Sequence, residues 1–387
     1  SIHQQGQHAR AAVERAREQV ASLLRCRATE IVFTSGGTES DNLALFGVLQ
    51  PYLTSREPAH LITSAIEHHA VLHAAEALRD RGAALSQNAA LSQIAALSQN
   101  FEVTFLPCTA SGLIEPAALE AAMRPHTKLV SIMLANNETG VIQPISELAA
   151  IAHAHGALFH TDAVQAAGKL PLDLSRTGPL AHVDLLSISG HKMYAPQGTG
   201  ILFSRRNVRL SPLFFGGSHE RQRRPGTENV AGIVALGKAS ELAQQWLTGS
   251  GPSPTPTELA ALRDRLEQGL LAQIEEAGIN GIELPRVANT TNLYFDHVEA
   301  EALVIALDLK GLSVSGGSAC QSGATEPSHV LTAMGLSPAR ARASIRLSLS
   351  RLTTAEDVDY ALSIIPAAVD RLRTLSPTWQ KAVPALA

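Results

Sequence analysis

Residues 183–192 read Val183-Asp184-Leu185-Leu186-Ser187-Ile188-Ser189-Gly190-His191-Lys192. The apolar run from Leu185 to Ile188, ended by glycine, predicts a short buried strand. Just past its end a single lysine stands among small hydroxyl, glycine and histidine groups. A lysine that a fold places in a pocket can shed its proton and form a Schiff base with a carbonyl. The neighbouring hydroxyl and imidazole suit a phosphate, and a lysine imine beside a phosphate grip points to pyridoxal phosphate. Alone, residues 187–192 are a weak signal, because most such stretches are solvated turns, so the surroundings decide.

Outward from this stretch, strands and helices alternate. Apolar spacing predicts helices over 9–24, 39–49, 69–79, 145–155 and 229–246. Short apolar runs predict strands over 30–34, 60–64, 102–106, 128–134, 157–160, 185–188 and 198–203. Such alternation calls for an α/β fold, a mostly parallel sheet wrapped by helices. Ligands of these sheets sit beyond the carboxyl ends of the strands. Thr38, His68, Asn137, Asp162 and Lys192 all fall at such ends. The stretch 248–257, TGSGPSPTPT, reads as a linker. It separates a large domain (1–247) from a smaller α+β C-terminal domain (258–387) with helices over 258–277 and 299–310 and strands over 291–295 and 344–349. Thr353 with Glu356 predicts a capping box for the last helix.

Composition narrows the function classes. A net charge of −4 supplies no basic field for nucleic acid. No apolar run reaches the roughly 18 residues of a membrane span, and no signal peptide is visible. Three cysteines, Cys26, Cys108 and Cys320, are too few and odd for a disulfide scaffold and suit a reducing, cytoplasmic setting. Residues 83–100 repeat Ala-Ala-Leu-Ser-Gln-Xaa in tandem. That period is too short for a solenoid, so a low-complexity insertion without catalytic duty is expected.

Several residues carry two readings. Ser35-Gly36-Gly37-Thr38 between strand and helix is either an anion site at a helix N-terminus or an ordinary N-cap turn. Asp162 is either a helix cap or the carboxylate that keeps a pyridoxal ring nitrogen protonated, with Gln165 beside it for the phenolic oxygen. His69 and His73, and His153, His155 and His160, have spacings that metal sites use. They lack Cys or carboxylate partners at matching intervals, so core or surface roles and no metal are expected. Cys320 lies in a Gly/Ser-rich stretch, unlike a packed structural cysteine. Cys26 and Cys108 are expected to be packing residues.

With these residues in view, the chain resembles the pyridoxal-phosphate-dependent cysteine desulfurases of the nitrogen-fixation and iron–sulfur-assembly (NifS/IscS) type. The matching stretches are TSGGTESDN (34–42), EHHAV (67–71), ANNETGVIQPI (135–145), HTDAVQAAGK (160–169), SGHKMYAPQGTG (189–200), RRPGTENV (223–230), GSACQSG (317–323) and SIRLSLSR (344–351). They run through nearly the whole chain in family order. The loop around Cys320 is similar to the long-loop branch, and ANNETGVIQP leans toward the nitrogen-fixation subtype.

The resemblance implies a fold of the aspartate-aminotransferase type (fold type I), a homodimer, and conversion of L-cysteine to L-alanine. It implies that Lys192 binds the cofactor and moves the Cα proton, that His68 stacks on the pyridine ring, and that Asp162 pairs with the ring nitrogen. Gln165 and Asn137 would contact the phenolic oxygen side. Gly37, Thr38, Ser189 and His191 would hold the phosphate, with Thr227 reaching across from the second subunit. Arg346 would clamp the substrate carboxylate by a planar two-point contact. Cys320 would be the nucleophile, its thiolate taking the sulfur as a persulfide for an acceptor such as an iron–sulfur scaffold protein. The family also carries an Asp-Asn-Ala-Ala-Thr-Thr segment ahead of the position of Ser1 that helps line the active site. The rival readings are another lyase or aminotransferase, which needs no loop cysteine, and an inactive scaffold, in which Lys192, Asp162 and Cys320 would be free to drift.

Overall fold

The computed structural model describes residues 3–53, 55, 57–87 (backbone alone for 83–87), 101–251, 253–316 and 326–379. Cys320 and most of the tandem repeat lie outside the described residues. The chain divides into two compact units, one of 1–109, 113–137 and 142–251, the other of 110–112, 138–141 and 252–387.

In chain order the first unit holds α1 (Gln4–Leu24), β1 (Ile31–Thr34), α2 (Gly37–Leu53), β2 (Ala59–Ser64), α3 (His69–Gln87) and β3 (Phe101–Leu106). It continues with α4 (Pro116–Ala122), β4 (Thr127–Ser131), α5 (Ile145–Ala154), β5 (Leu158–Asp162), β6 (Leu185–Ser189), β7 (Gly200–Ser204) and α6 (Val230–Leu247). The strands form one sheet in the order β1-β7-β6-β5-β4-β2-β3. The pairs β3/β2, β2/β4, β4/β5 and β5/β6 are parallel, whereas β7 runs antiparallel to both β6 and β1. Parallel strands are covered on both faces, which is why β2 and β6 are buried at every residue and read as unbroken runs. For the same reason α2 is apolar around most of its girth. Leu43, Leu45, Phe46, Val48 and Leu49 are all buried in a core shared with Val32, Leu61, Leu129 and Leu185. Each such side chain contributes about 1.5–3 kcal/mol by leaving water.

Strand 128–134 of the sequence reading is shorter here, because β4 ends at Ser131. Ile132 and Leu134 nevertheless donate their N–H groups to His160 O (3.1 Å) and Asp162 O (2.9 Å), so the extended chain runs on beside β5.

The second unit holds α7 (Pro256–Gln273), β8 (Ala277–Ile279), β9 (Thr290–Phe295), α8 (Ala300–Asp308), β10 (Ser315–Gly316), α9 (His329–Ala333), α10 (Pro338–Arg342), β11 (Ser344–Ser348) and α11 (Ala355–Thr374). Its antiparallel sheet has the order β10-β11-β9-β8. Residues 138–141 group here because Val141 bridges Arg286 and Val287 N–H bonds Gly140 O at 2.9 Å. The cap of α11 differs from the expected one by a residue. Thr354 accepts the Asp357 N–H, and Asp357 accepts the Thr354 N–H (2.9 Å). Thr353 Oγ1 is engaged by the Ser350 N–H at 2.9 Å and cannot serve. Among the described residues no helix is long and apolar enough to cross a membrane.

Candidate active site

The carboxyl ends of β1, β2, β4, β5 and β6 share one edge of the large sheet. Gly37 and Thr38 open α2 directly after β1, His68 lies between β2 and α3, and Asn137 follows β4. Asp162 is the last residue of β5, and Lys192 sits in a 3-10 turn (Gly190–Met193) after β6. Polar groups gather here because each apolar strand must end before the chain turns.

Close backbone approaches make a cradle at this edge. A Cβ on Gly37 would stand 2.8 Å from Val164 Cγ2 and 3.5 Å from Ser189 Cβ. A Cβ on Gly200 would stand 2.6 Å from Gly36 Cα. Glycine thus lets the α2 N-terminus, with its N–H groups and positive dipole end, reach Ser189 and the chain just past Asp162. Ser189 Oγ meets His191 Nδ1 at 2.9 Å. Burial, then the cations of Lys192 and Lys169, hold the His191 imidazole below its ordinary pKa. Glu39 in the first turn of α2 accepts the Ser35 N–H at 2.7 Å and pairs with Arg224 Nε at 2.8 Å. Burial resists ionisation there, but Arg224 and Ser35 keep the Glu39 carboxyl below its usual range. This pair ties the segment carrying Thr227 to the α2 N-terminus. Thr227, exposed in the single chain, lines a cavity of about 220 Å³ with Ser35, Gly198, Arg224 and Gly226.

Asp162 is 5% exposed, and its Oδ1 accepts the Val164 N–H at 2.8 Å. Burial pushes its carboxyl up to about 6, against the help of that N–H. His68 Nδ1 accepts the Ala70 N–H at 3.1 Å, so the neutral ring carries its proton on Nε2. Gln165 accepts from Lys169 Nζ through its backbone O (2.9 Å) and Oε1 (3.2 Å). Lys192 is half-buried.

Arg346 belongs to the second unit. It lies on β11 opposite Ser315, whose Oγ accepts from Nη2 at 3.4 Å. Glu138 of the same unit is 4% exposed and accepts the Ser328 hydroxyl at 2.5 Å. Burial raises its carboxyl to about 7, with Ser328 and Arg346 opposing. Cys320 lies outside the described residues. Cys26 is partly buried, its thiol pushed up to about 12, first by burial and then by Glu30. Cys108 is raised by burial as well. Neither suits a thiolate. Of the histidines with metal-like spacing, His160 is fully buried, whereas His69 and His73 stack at 4.8 Å.

Sequence reading missed two buried carboxyls near Asp162, and gave His160 beside them only a core or surface role. Asp41 on α2, Glu67 before His68, and His160 on β5 are each no more than 1% exposed. Asp41 reads as one more polar residue in the run Thr38-Glu39-Ser40-Asp41-Asn42 that opens α2, and its burial marks it out.

These residues fit pyridoxal phosphate. The glycine cradle at a helix N-terminus with Ser189 and His191 suits the phosphate, the buried Asp162 suits a ring nitrogen, and Lys192 suits the aldehyde.

The aminotransferase class-V family profile matches residues 1–91 and 83–361. A cysteine desulfurase IscS of Methanosarcina thermophila is 44% identical over 381 residues, 98% of this chain and 87% of that protein. One from Anaeromyxobacter sp. (strain Fw109-5) is 47% identical over 380 residues, 98% and 86% of the two chains. A solved NifS-like protein superposes with a TM-score of 0.82 at 34% identity, over 96% of this chain and 91% of that one. With the fold, the cradle and the strand-end lysine, these likenesses mean that the chain belongs to the pyridoxal-phosphate-dependent class-V aminotransferase family, among its cysteine desulfurases.

Proposed function

We propose that this chain converts L-cysteine to L-alanine and passes the sulfur, held as a persulfide on Cys320, to an acceptor protein such as an iron–sulfur scaffold. The observation that carries the reading is the cradle itself. Gly37 at the α2 N-terminus packs on Val164 and Ser189, beside the buried Asp162 and the turn of Lys192.

Pyridoxal phosphate, when bound, supplies the electron sink that makes the substrate Cα proton removable. Gly37, Thr38, Ser189 and His191 would hold its phosphate, Asp162 its ring nitrogen, His68 its ring face, and Gln165 and Asn137 its phenolic oxygen side. Lys192 Nζ takes the Cα proton and returns it to the product. Arg346 orients the substrate carboxylate with two parallel N–H groups. Cys320 Sγ, as thiolate, would attack the substrate sulfur; the S–Cβ bond breaks with its electron pair going to Cβ, Cβ takes up a proton to become alanine's methyl group, and Cys320 keeps the sulfur as a persulfide. The working unit in this reading is a cytoplasmic homodimer in which Thr227 completes the phosphate site of the second copy.

The test is alanine released from L-cysteine by the cofactor-loaded protein, beside Cys320→Ala. Alanine from the parent and none from the variant is expected. Equal release from both would reject Cys320 as nucleophile, and none from a parent that retains its cofactor absorbance would reject the activity.

A further inference from the structure

Behind Asp162 lies a polar layer that the chemistry above does not use. His160 and Asp162 are two apart on β5 and leave the same face of the sheet. His160 Nδ1 meets Ser131 Oγ of β4 at 2.8 Å, and its Nε2 meets Ser187 Oγ of β6 at 3.0 Å. Asp41 of α2 closes the layer, with its Oδ1 3.7 Å from His160 Nε2 and without a hydrogen-bond partner among the described residues. Glu67, in the turn after β2, accepts from Ser64 Oγ (2.5 Å) and Met133 N–H (3.0 Å). Three carboxyl groups thus share one buried layer.

We propose that Asp41 is a positioning residue kept as the neutral acid, so that the layer carries its one negative charge on Asp162, where the cofactor's ring nitrogen would meet it. This rests on the assignment of Asp162 to that nitrogen.

An ionised carboxylate there would bury a charged oxygen that no donor reaches and no cation faces, which the neutral acid avoids. A second anion in the layer would repel Asp162 without water to screen it. Burial and then the charge of Asp162 lift Asp41 well above the ordinary carboxylate range; Ser187 opposes this and Glu67 adds to it. Burial lifts Glu67 to about 8, whereas Asp162 rises only to about 6. Asp162 has the Val164 N–H at 2.8 Å to hold its charge, whereas Asp41 Oδ1 has no donor, so the geometry favours the charge on Asp162. Burial holds His160 down at about 3, so it stays uncharged and neutralises none of them. The titratable groups facing Asp41 are Asp162 and His160 from β5 and Glu67 from the turn, while β4 and β6 present the hydroxyls of Ser131 and Ser187.

The test compares Asp41→Asn with Asp162→Asn in the cofactor-loaded protein at fixed cofactor concentration. A carboxyl whose folded pKa lies above its unfolded one takes up a proton on folding, so its stabilisation is lost as pH rises from about 4 toward the folded value. Between pH 5.5 and 8 the folded-to-unfolded ratio of Asp41→Asn should therefore gain on wild type by up to about tenfold per pH unit. Equal pH slopes would overturn the proposal. The absorbance of the lysine-bound cofactor and its pH midpoint should move in Asp162→Asn and stay in Asp41→Asn. A matching shift in Asp41→Asn would put the charge on Asp41 and overturn the proposal. No shift in Asp162→Asn would remove the role of Asp162 on which it rests, leaving the pH slope to judge Asp41 separately. A second measurement covers a variant that does not fold. Glu67→Gln protein at pH 8 should still show the infrared C=O stretch of a protonated carboxyl, and its absence would overturn the proposal.

Discussion

Two buried acids of the first unit, Glu220 and Asp162, are treated in opposite ways. Glu220 receives both arms of the Arg17 guanidinium at 2.8 Å each and the Phe33 N–H at 3.1 Å. Arg17 also donates to Ile31 O at 3.0 Å and lies over the Phe33 ring. Charge, fork geometry and backbone partners are all satisfied within the chain, and the pair fastens α1 to the start of β1. Asp162 instead accepts the Val164 N–H and lies in a layer with two further carboxyls and an uncharged imidazole. Its carboxyl is raised where a paired one would be lowered. A structural acid is completed by its own fold; an acid that serves a ligand keeps part of its capacity for the ligand.

The sharpest way to break this contrast is Glu220→Gln. It leaves a guanidinium with 5% side-chain exposure without its counter-charge, so stability should fall by about 3–5 kcal/mol in denaturant unfolding. A loss under 1 kcal/mol would erase the distinction. Asp162→Asn should behave in reverse. Cofactor-free stability at pH 8 stays equal or rises, while alanine formation falls by about 10²–10³-fold, the scale of one electrostatic partner at a reacting centre.

The acid limb of stability sharpens the picture of the layer. His160, with its folded pKa near 3 against an unfolded value of about 6.5, binds more protons when unfolded. Its stabilisation is present above about pH 6.5 and lost as pH falls toward 3. His160→Gln should therefore flatten the loss between pH 6 and 4 by up to roughly 1.4 kcal/mol per pH unit, read by urea unfolding. The smallest effect isolates burial from charge pairing. Arg25 and Asp173 make the same kind of pair at 2.7 Å, with Arg25 67% exposed. Asp173→Asn, which keeps the Ser175 N–H bond, should cost under about 1 kcal/mol in the same assay.

Much of this was legible in the chain because buried parallel strands show as apolar runs that end in polar residues. Asp162 and Lys192 stand out for that reason. The reversal of β7 does not, since Gly200–Ser204 is as apolar as its parallel neighbours. β8 escaped because Ala277-Gly278-Ile279 is too short to display alternation. Thr353 and Thr354 each have an acid three residues on, and only the engagement of Thr353 with Ser350 selects between them. At the site, Asp41 and Glu67 were hidden because a carboxyl in the polar run that opens a helix, or beside a histidine, carries no mark of burial. Arg17 and Glu220 were hidden because they are 203 positions apart.

That separation has a consequence in time. Lys192 sits within the antiparallel hairpin of β6 and β7, closed by Gly190 N–H to Thr199 O at 2.8 Å. A hairpin assembles in about 1–10 μs, whereas the Arg17–Glu220 contact must wait for closure of most of the first unit. During refolding, amides of β6 and β7 should gain exchange protection before the Phe33 amide does. The lysine would then be presented on a formed turn while α1 is still searching for its partner.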